Sequence, residues 1–251
     1  MDNISTVHPF KRWVKKEYTI TKTLFRAIPS LMVAIFCVMV VVMNLMASKI
    51  ILKLDWIAIN GGLLVSWVPF LIMDIVTKHF GAGSANRLSL LGIIINALCA
   101  LIFYVISIIG VNESFDAVFN TNWFILLGST FAFILSALVN NFSNEAIGKL
   151  FKNNPNGKLA YTTRTYISTF FAQLVDNLAF VIPTYMLFAP IFWGPEAKWS
   201  FLQCLICSLV AMLLEFLLEV IFSPLGYYLL NKWKKEEVGK DYFELLESYR
   251  R

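Results

Sequence analysis

The sequence predicts an all-α integral membrane protein of six transmembrane helices. Three observations carry this. Apolar runs of roughly 20 residues, each long enough to cross a bilayer, recur along the whole chain. The 251 residues are 58% hydrophobic and only 15% charged, with 22 Phe, where soluble domains average about 25% charged residues. The basic residues fall between the apolar runs and form no patch of their own. That distribution argues against a nucleic-acid partner in spite of the net charge of +5.

The elements follow in order. Residues 1–28 carry Lys11, Arg12, Lys15, Lys16, Lys22 and Arg26 interleaved with Phe10, Trp13, Val14, Tyr18, Leu24 and Phe25. This predicts a short amphipathic helix on the membrane surface. The stretch lacks the early apolar core and small-residue cleavage site of a signal peptide. The first span starts near 27–29, with Pro29 tolerated in its first turn, and ends near residue 47. Asn44 and Lys49 mark its far end, and 49–60 reads as a short semi-apolar loop. The second span is 61–77, kinked by Pro69, which lacks a backbone donor. GAGSANR, within 78–87, reads as a glycine-permissive turn. The third span is 88–110, followed by a polar loop at 112–122 with Glu113 and Asp116. The fourth is 123–139. NNFSNEAIGKLFKNNPNGK then reads as a polar connector with a turn at 153–157. The fifth span, 164–193, and the sixth, 201–230, exceed the bilayer thickness and are expected to tilt or project beyond it. Pro224 should break or kink the sixth. The tail from residue 231 is charged and helical. The chain thus divides into a cytoplasmic N-terminal segment (1–28), a six-helix membrane domain (29–230) and a cytoplasmic tail (231–251).

Orientation follows from charge. With both termini cytoplasmic, 18 of the 21 Lys and Arg, Lys152 among them, fall on the cytoplasmic side, as the positive-inside rule requires. Trp56, Trp123, Trp193 and Trp199 then lie at the outer interface, where aromatic belts form.

Ionisable residues inside such spans are costly and point to function. In the fifth span Thr169, Gln173, Asp176, Phe180 and Thr184 share one face. Asp176 lies 12 residues past Arg164, about 18 Å, near the bilayer midplane, where transporters commonly bind substrate. A carboxylate accepts two parallel N–H bonds, an amide fixes an edge and Phe stacks, so the face suits a planar, nitrogen-rich ring. Asn177 and Asn44 complete the candidate substrate-binding set. Asn44 and Asn96 suit interhelical hydrogen bonds better than ligand contact, and Thr169 and Thr184 read as helix glue. Asp74 lies near the cytoplasmic end of the second span and suits a gate or a structural salt bridge beside Lys78, with Arg87 and Arg164 as further candidate partners. Glu215 and Glu219 form an i, i+4 pair that would repel if both were ionised, so one should carry a proton or meet a cation. Glu145 faces either water or the pathway.

Several chemistries are excluded. Cys37, Cys99, Cys204 and Cys207 all lie in apolar runs, and the C-x-x-C of the last two has no His or further Cys beside it, which favours packing over metal or redox work. His8 and His79 form no metal constellation. There is no P-loop, G-x-S-x-G or H-E-x-x-H motif. No catalytic residue, metal or cofactor is expected, and the chain does not read as an enzyme. Its partners are a small-molecule substrate, the lipid bilayer and, as an open alternative, a second copy of itself.

The residues also resemble a known family. NLMASKI and FLIMDIVTKHFG supply Asn44, Lys49, Pro69, Asp74, Phe80 and Gly81. The fifth span supplies Arg164, Ser168, Gln173, Asp176 and Phe180, and the last span and tail supply Glu219, Pro224, Lys234, Glu237 and Asp241. In this order and spacing they resemble the queuosine precursor transporters, also described as vitamin uptake transporters. The resemblance implies a six-helix fold similar to the substrate-binding subunits of energy-coupling-factor transporters. It implies import of a 7-deazaguanine (7-cyano- or 7-aminomethyl-7-deazaguanine, or queuine) across a bacterial inner membrane. Two alternatives stay open: a substrate-capture subunit of an ATPase-energised vitamin or nucleobase system, and a membrane scaffold with purely structural carboxylates. The chain departs from the family pattern at Lys78 and Glu215. The two changes exchange a charge, which predicts an ion pair between them.

Overall fold

The computed structural model describes residues 9–47, 49–54, 57–109, 123–151 and 157–249. Helix α1 (Pro9–Ala27) meets α2 (Ser30–Met46) at an angle of 101°. Pro29 makes the corner. Its ψ of 126° is extended, and its ring fixes φ, so the chain turns before a new helix starts. A small antiparallel hairpin follows, β1 (Ile50–Lys53) with β2 (Ala58–Asn60). Then come α3 (Leu63–Phe80), α4 (Ala82–Ile109), α5 (Trp123–Gly148), α6 (Lys158–Val181), α7 (Phe201–Lys235) and α8 (Lys240–Ser248). Helix α6 continues through a π-helical stretch, Ile182–Phe188, into a last turn, Ala189–Phe192. Pro183, at the head of that stretch, lacks the N–H that the α-helical pattern needs. Helices α3 to α7 are long and apolar enough to cross a membrane, and α2, with 17 residues, makes a sixth span when it is taken with α1 as one bent pair. The protein is an all-α multi-pass membrane protein.

Four local expectations are corrected. The 49–60 loop is the hairpin. GAGSANR is no turn, because α3 and α4 are joined by Gly81 alone, at φ 90°, and α4 starts at Ala82. The stretch NNFSNEAIG belongs to α5, not to a connector. Pro224 does not end α7, which continues to Lys235. The carbonyl its missing N–H would have met, that of Val220, accepts the Ser223 hydroxyl at 3.1 Å, a repair typical of membrane helices. The loop at 112–122 with Glu113 and Asp116, the turn residues 153–156, Lys152, Trp56, His8 and the side chain of Trp123 lie outside the described residues.

The bundle has two distinct ends. At one, α1 and α8 lie over the helix ends, with Leu24, Ile28, Phe80, Trp233 and Tyr242 buried together. At the other, Phe124, Phe180, Tyr185 and Ala189 form a second core, and Trp199 stacks on Tyr185 at 4.0 Å. Helix α4 exposes Leu90, Ile94, Leu98, Leu101 and Ile102, an apolar face suited to lipid. Helix α7 approaches α3 and α6 closely at Gly226, where a Cβ would overlap the Tyr161 hydroxyl and lie 2.6 Å from Leu71. We predict that Gly226→Val lowers stability by about 1–3 kcal/mol, as overpacking does. An unchanged melting temperature in detergent would contradict this contact.

Candidate functional site

The spans enclose polar side chains that a core of this composition would otherwise exclude. They form two groups along one axis. The first lies between α3, α5, α6 and α7. Ser136 donates to Asp176 Oδ1 at 2.7 Å. Glu215 is buried and accepts from Ser66 at 2.8 Å on Oε1 and from Asn177 at 2.6 Å on Oε2. Asn177 also donates to the carbonyl of Gln173 at 2.9 Å. Asp176 is partly buried, and the charges of the two carboxylates interact. Both line one cavity of about 20 Å³, with Ser66, Asn177, Phe180 and Met43.

The second group lies toward the α1–α8 end. Asp74 and Lys78, one turn apart on α3, pair at 2.9 Å with side-chain exposures of 0% and 1%. The other Asp74 oxygen accepts from Asn140 at 3.0 Å and Asn144 at 2.7 Å. Lys78 also donates to Thr165 at 2.7 Å and lies 4.5 Å from the centre of the Tyr161 ring, a cation–π contact. Arg164 donates through Nε to the backbone and side-chain oxygens of Asn144, both at 3.1 Å. It therefore holds one of the two amides that hold Asp74. Between the groups, both amide atoms of Gln173 and both oxygens of Glu219 are buried with no hydrogen-bond partner among the described residues.

The expected ion pair of Lys78 with Glu215 is not formed. Lys78 bonds to Asp74, and Glu215 bonds to Ser66 and Asn177. The reason is depth. Ser66, which Glu215 meets, precedes Lys78 by 12 residues on the same helix, about 18 Å along its axis, beyond the reach of a lysine. The sixth-span acid that shares an electrostatic field with Lys78 is Glu219. We predict that reversing both charges, Lys78→Glu with Glu215→Lys, gives additive losses in a double-mutant cycle. Mutual rescue would restore the abandoned pair. Arg87 is not a partner of Asp74 either. It bonds Glu17 of α1 at 2.7 Å and ties α4 to the surface helix. Asp74 itself is fully buried, at the end of the bundle that α1 and α8 cover.

Of the expected substrate set, Asp176, Asn177 and Phe180 line the cavity. Gln173 lies one turn away. Asn44 does not reach it. Its amide donates to Val40 of its own helix at 2.7 Å, and α2 presents Met43 and Ala47 instead. Glu145 bonds the N–H of Ala82 at 3.3 Å and Lys149 at 3.4 Å, placing a negative charge at the start of α4, where the helix dipole favours it. The cysteines form no disulfide among the described residues, and Cys37, Cys204 and Cys207 are buried. Sequence reasoning missed Ser66, Ser136, Asn140, Asn144, Tyr161 and Thr165. The one signal for them was the i, i+4 spacing of Asn140 and Asn144.

The chain is thus a multi-pass helical bundle with a small internal polar cavity and a sealed ion pair toward one end. The family model described as "Putative vitamin uptake transporter" matches residues 60–229, and the chain belongs to that family. The match takes in α3 to nearly the end of α7, and with them both polar groups. No curated protein and no solved structure matches the chain.

Proposed function

We propose that the chain imports a queuosine precursor, a 7-deazaguanine, by alternating access around the Asp176–Glu215 cavity. The observation that supports this most is the pair of carboxylates facing one cavity together with an amide and an aromatic ring. Two like charges there repel. A ligand offering several N–H groups and a cation relieves that repulsion. In 7-aminomethyl-7-deazaguanine the N1–H and 2-amino group match one carboxylate in parallel, and the ammonium matches the other. Asp176 takes the guanine edge, Glu215 the ammonium, and Phe180 the ring face. This favours the aminomethyl precursor over the 7-cyano compound, which lacks the cation.

A cavity of about 20 Å³ holds little more than a water molecule. A ring therefore enters only when the helices part, which is the motion alternating access requires. The Asp74–Lys78 group then acts as the closed gate. With 18 Lys and Arg on the side of the termini, that gate faces the cytoplasm of a bacterial cell and the membrane is its inner membrane.

Proteoliposomes containing only this chain test the reading. Saturable uptake of labelled 7-aminomethyl-7-deazaguanine, above that of the 7-cyano compound and of riboflavin, thiamine and biotin, is the expected result. With no ATPase present, such uptake also separates a carrier from a capture subunit. Uptake of a vitamin and of no deazaguanine would overturn it.

A further inference from the structure

Resting on the carrier reading of the same polar column, we infer that Glu219 is the binding site of a coupling cation, a monovalent ion that is either a proton or sodium. Glu219 is 0% exposed, and neither carboxylate oxygen has a hydrogen-bond partner among the described residues. An unpartnered carboxylate in such a place is costly and calls for a proton, an ion or a donor.

The neighbours do not supply one. Asp74 and Lys78 on α3 act on Glu219 electrostatically, but the Lys78 ammonium is committed to Asp74 and Thr165. On α6, Tyr161 shares the field of Glu219, and Arg164 is bonded to Asn144. Glu215, one turn away on α7, is taken by Ser66 and Asn177. Helix α5 contributes the neutral amides of Asn140 and Asn144. The column thus holds four carboxylates, Asp74, Asp176, Glu215 and Glu219, against the two cations Lys78 and Arg164. A cationic substrate at Asp176 and Glu215 supplies one further positive charge, and a cation at Glu219 supplies the other.

The arrangement also gives the coupling a mechanism. While the cation occupies Glu219, Lys78 stays on Asp74 and the gate is shut. When the cation leaves, Glu219 competes with Asp74 for Lys78. Moving that ammonium across breaks its bond to Asp74 within α3 and its bond to Thr165, which joins α3 to α6.

Melting of the purified chain in detergent, without substrate, tests this across a pH series and across NaCl matched against choline chloride. A ligand that binds only the folded state raises the melting temperature with its concentration. The wild type is expected to rise either with NaCl but not choline, which identifies sodium, or with acid at constant NaCl, which identifies the proton. Glu219→Gln should lose that rise, and Glu219→Asp, which keeps a carboxylate, should retain part of it. A rise undiminished in Glu219→Gln, or none in the wild type with either cation, overturns the proposal. A rise that depends on Glu219 in a protein that moves no deazaguanine keeps the cation site and removes only the substrate assignment.

Discussion

Lys78→Met is expected to destabilise the protein by about 3–5 kcal/mol, the cost of leaving a buried charge without its partner. The pair it breaks is almost wholly shielded, with Asp74 at 0% and Lys78 at 1% side-chain exposure. Asp74 keeps the amides of Asn140 and Asn144, but it loses its only cation within 4 Å among the described residues, while Glu219 remains in its field. Adding Asp74→Asn removes the stranded charge and leaves two neutral groups of similar shape. Most of the loss should return, so the cycle gives a coupling well beyond the few tenths expected of independent sites. Thermal melts of the four proteins in one detergent measure it. Additive losses would mean that the two residues act independently and that this group is no gate.

The second large effect is on binding. Asp176→Asn should weaken 7-aminomethyl-7-deazaguanine by roughly 10- to 150-fold, because a hydrogen bond to a charged group contributes about 1.5–3 kcal/mol. The fold should survive, since the new amide oxygen still accepts from Ser136. Thr184→Ala is the control. Thr184 is buried on the same helix beyond the cavity, against Gly128, and its loss should barely change affinity. Equal binding by both variants, measured by titration with labelled ligand, would remove Asp176 from the site.

The spans were legible because length and hydropathy suffice to find them. Where they end was less so. Three asparagines lowered the local hydropathy of 140–148 enough to resemble a connector, yet Asn140, Asn141 and Asn144 are all buried and two of them hold Asp74. A polar residue inside a membrane helix looks like a loop residue until its partner is known. The hydroxyls of Ser66 and Ser136 were invisible for a similar reason. A single serine in an apolar run is compatible with packing, and only the facing carboxylate gives it a role. The π-helical stretch and the hairpin left no periodic trace. For Lys78, the true partner was one turn away on its own helix, a spacing plainly visible in the sequence. The exchange of charge with Glu215 had looked more specific, but it ignored depth. Asp176 and Phe180, by contrast, came to one cavity because they lie four residues apart on one helix face, and that relation needs no tertiary information.

A structure of the protein with 7-aminomethyl-7-deazaguanine bound tests the central claim most directly. The ring is expected against Phe180, with its N1–H and 2-amino group on Asp176, its ammonium on Glu215, and the cavity of about 20 Å³ enlarged to hold it. A ring bound elsewhere, for example in the apolar lateral groove between Ala97, Tyr104 and Thr130, with the cavity between Asp176 and Glu215 unchanged, would contradict it.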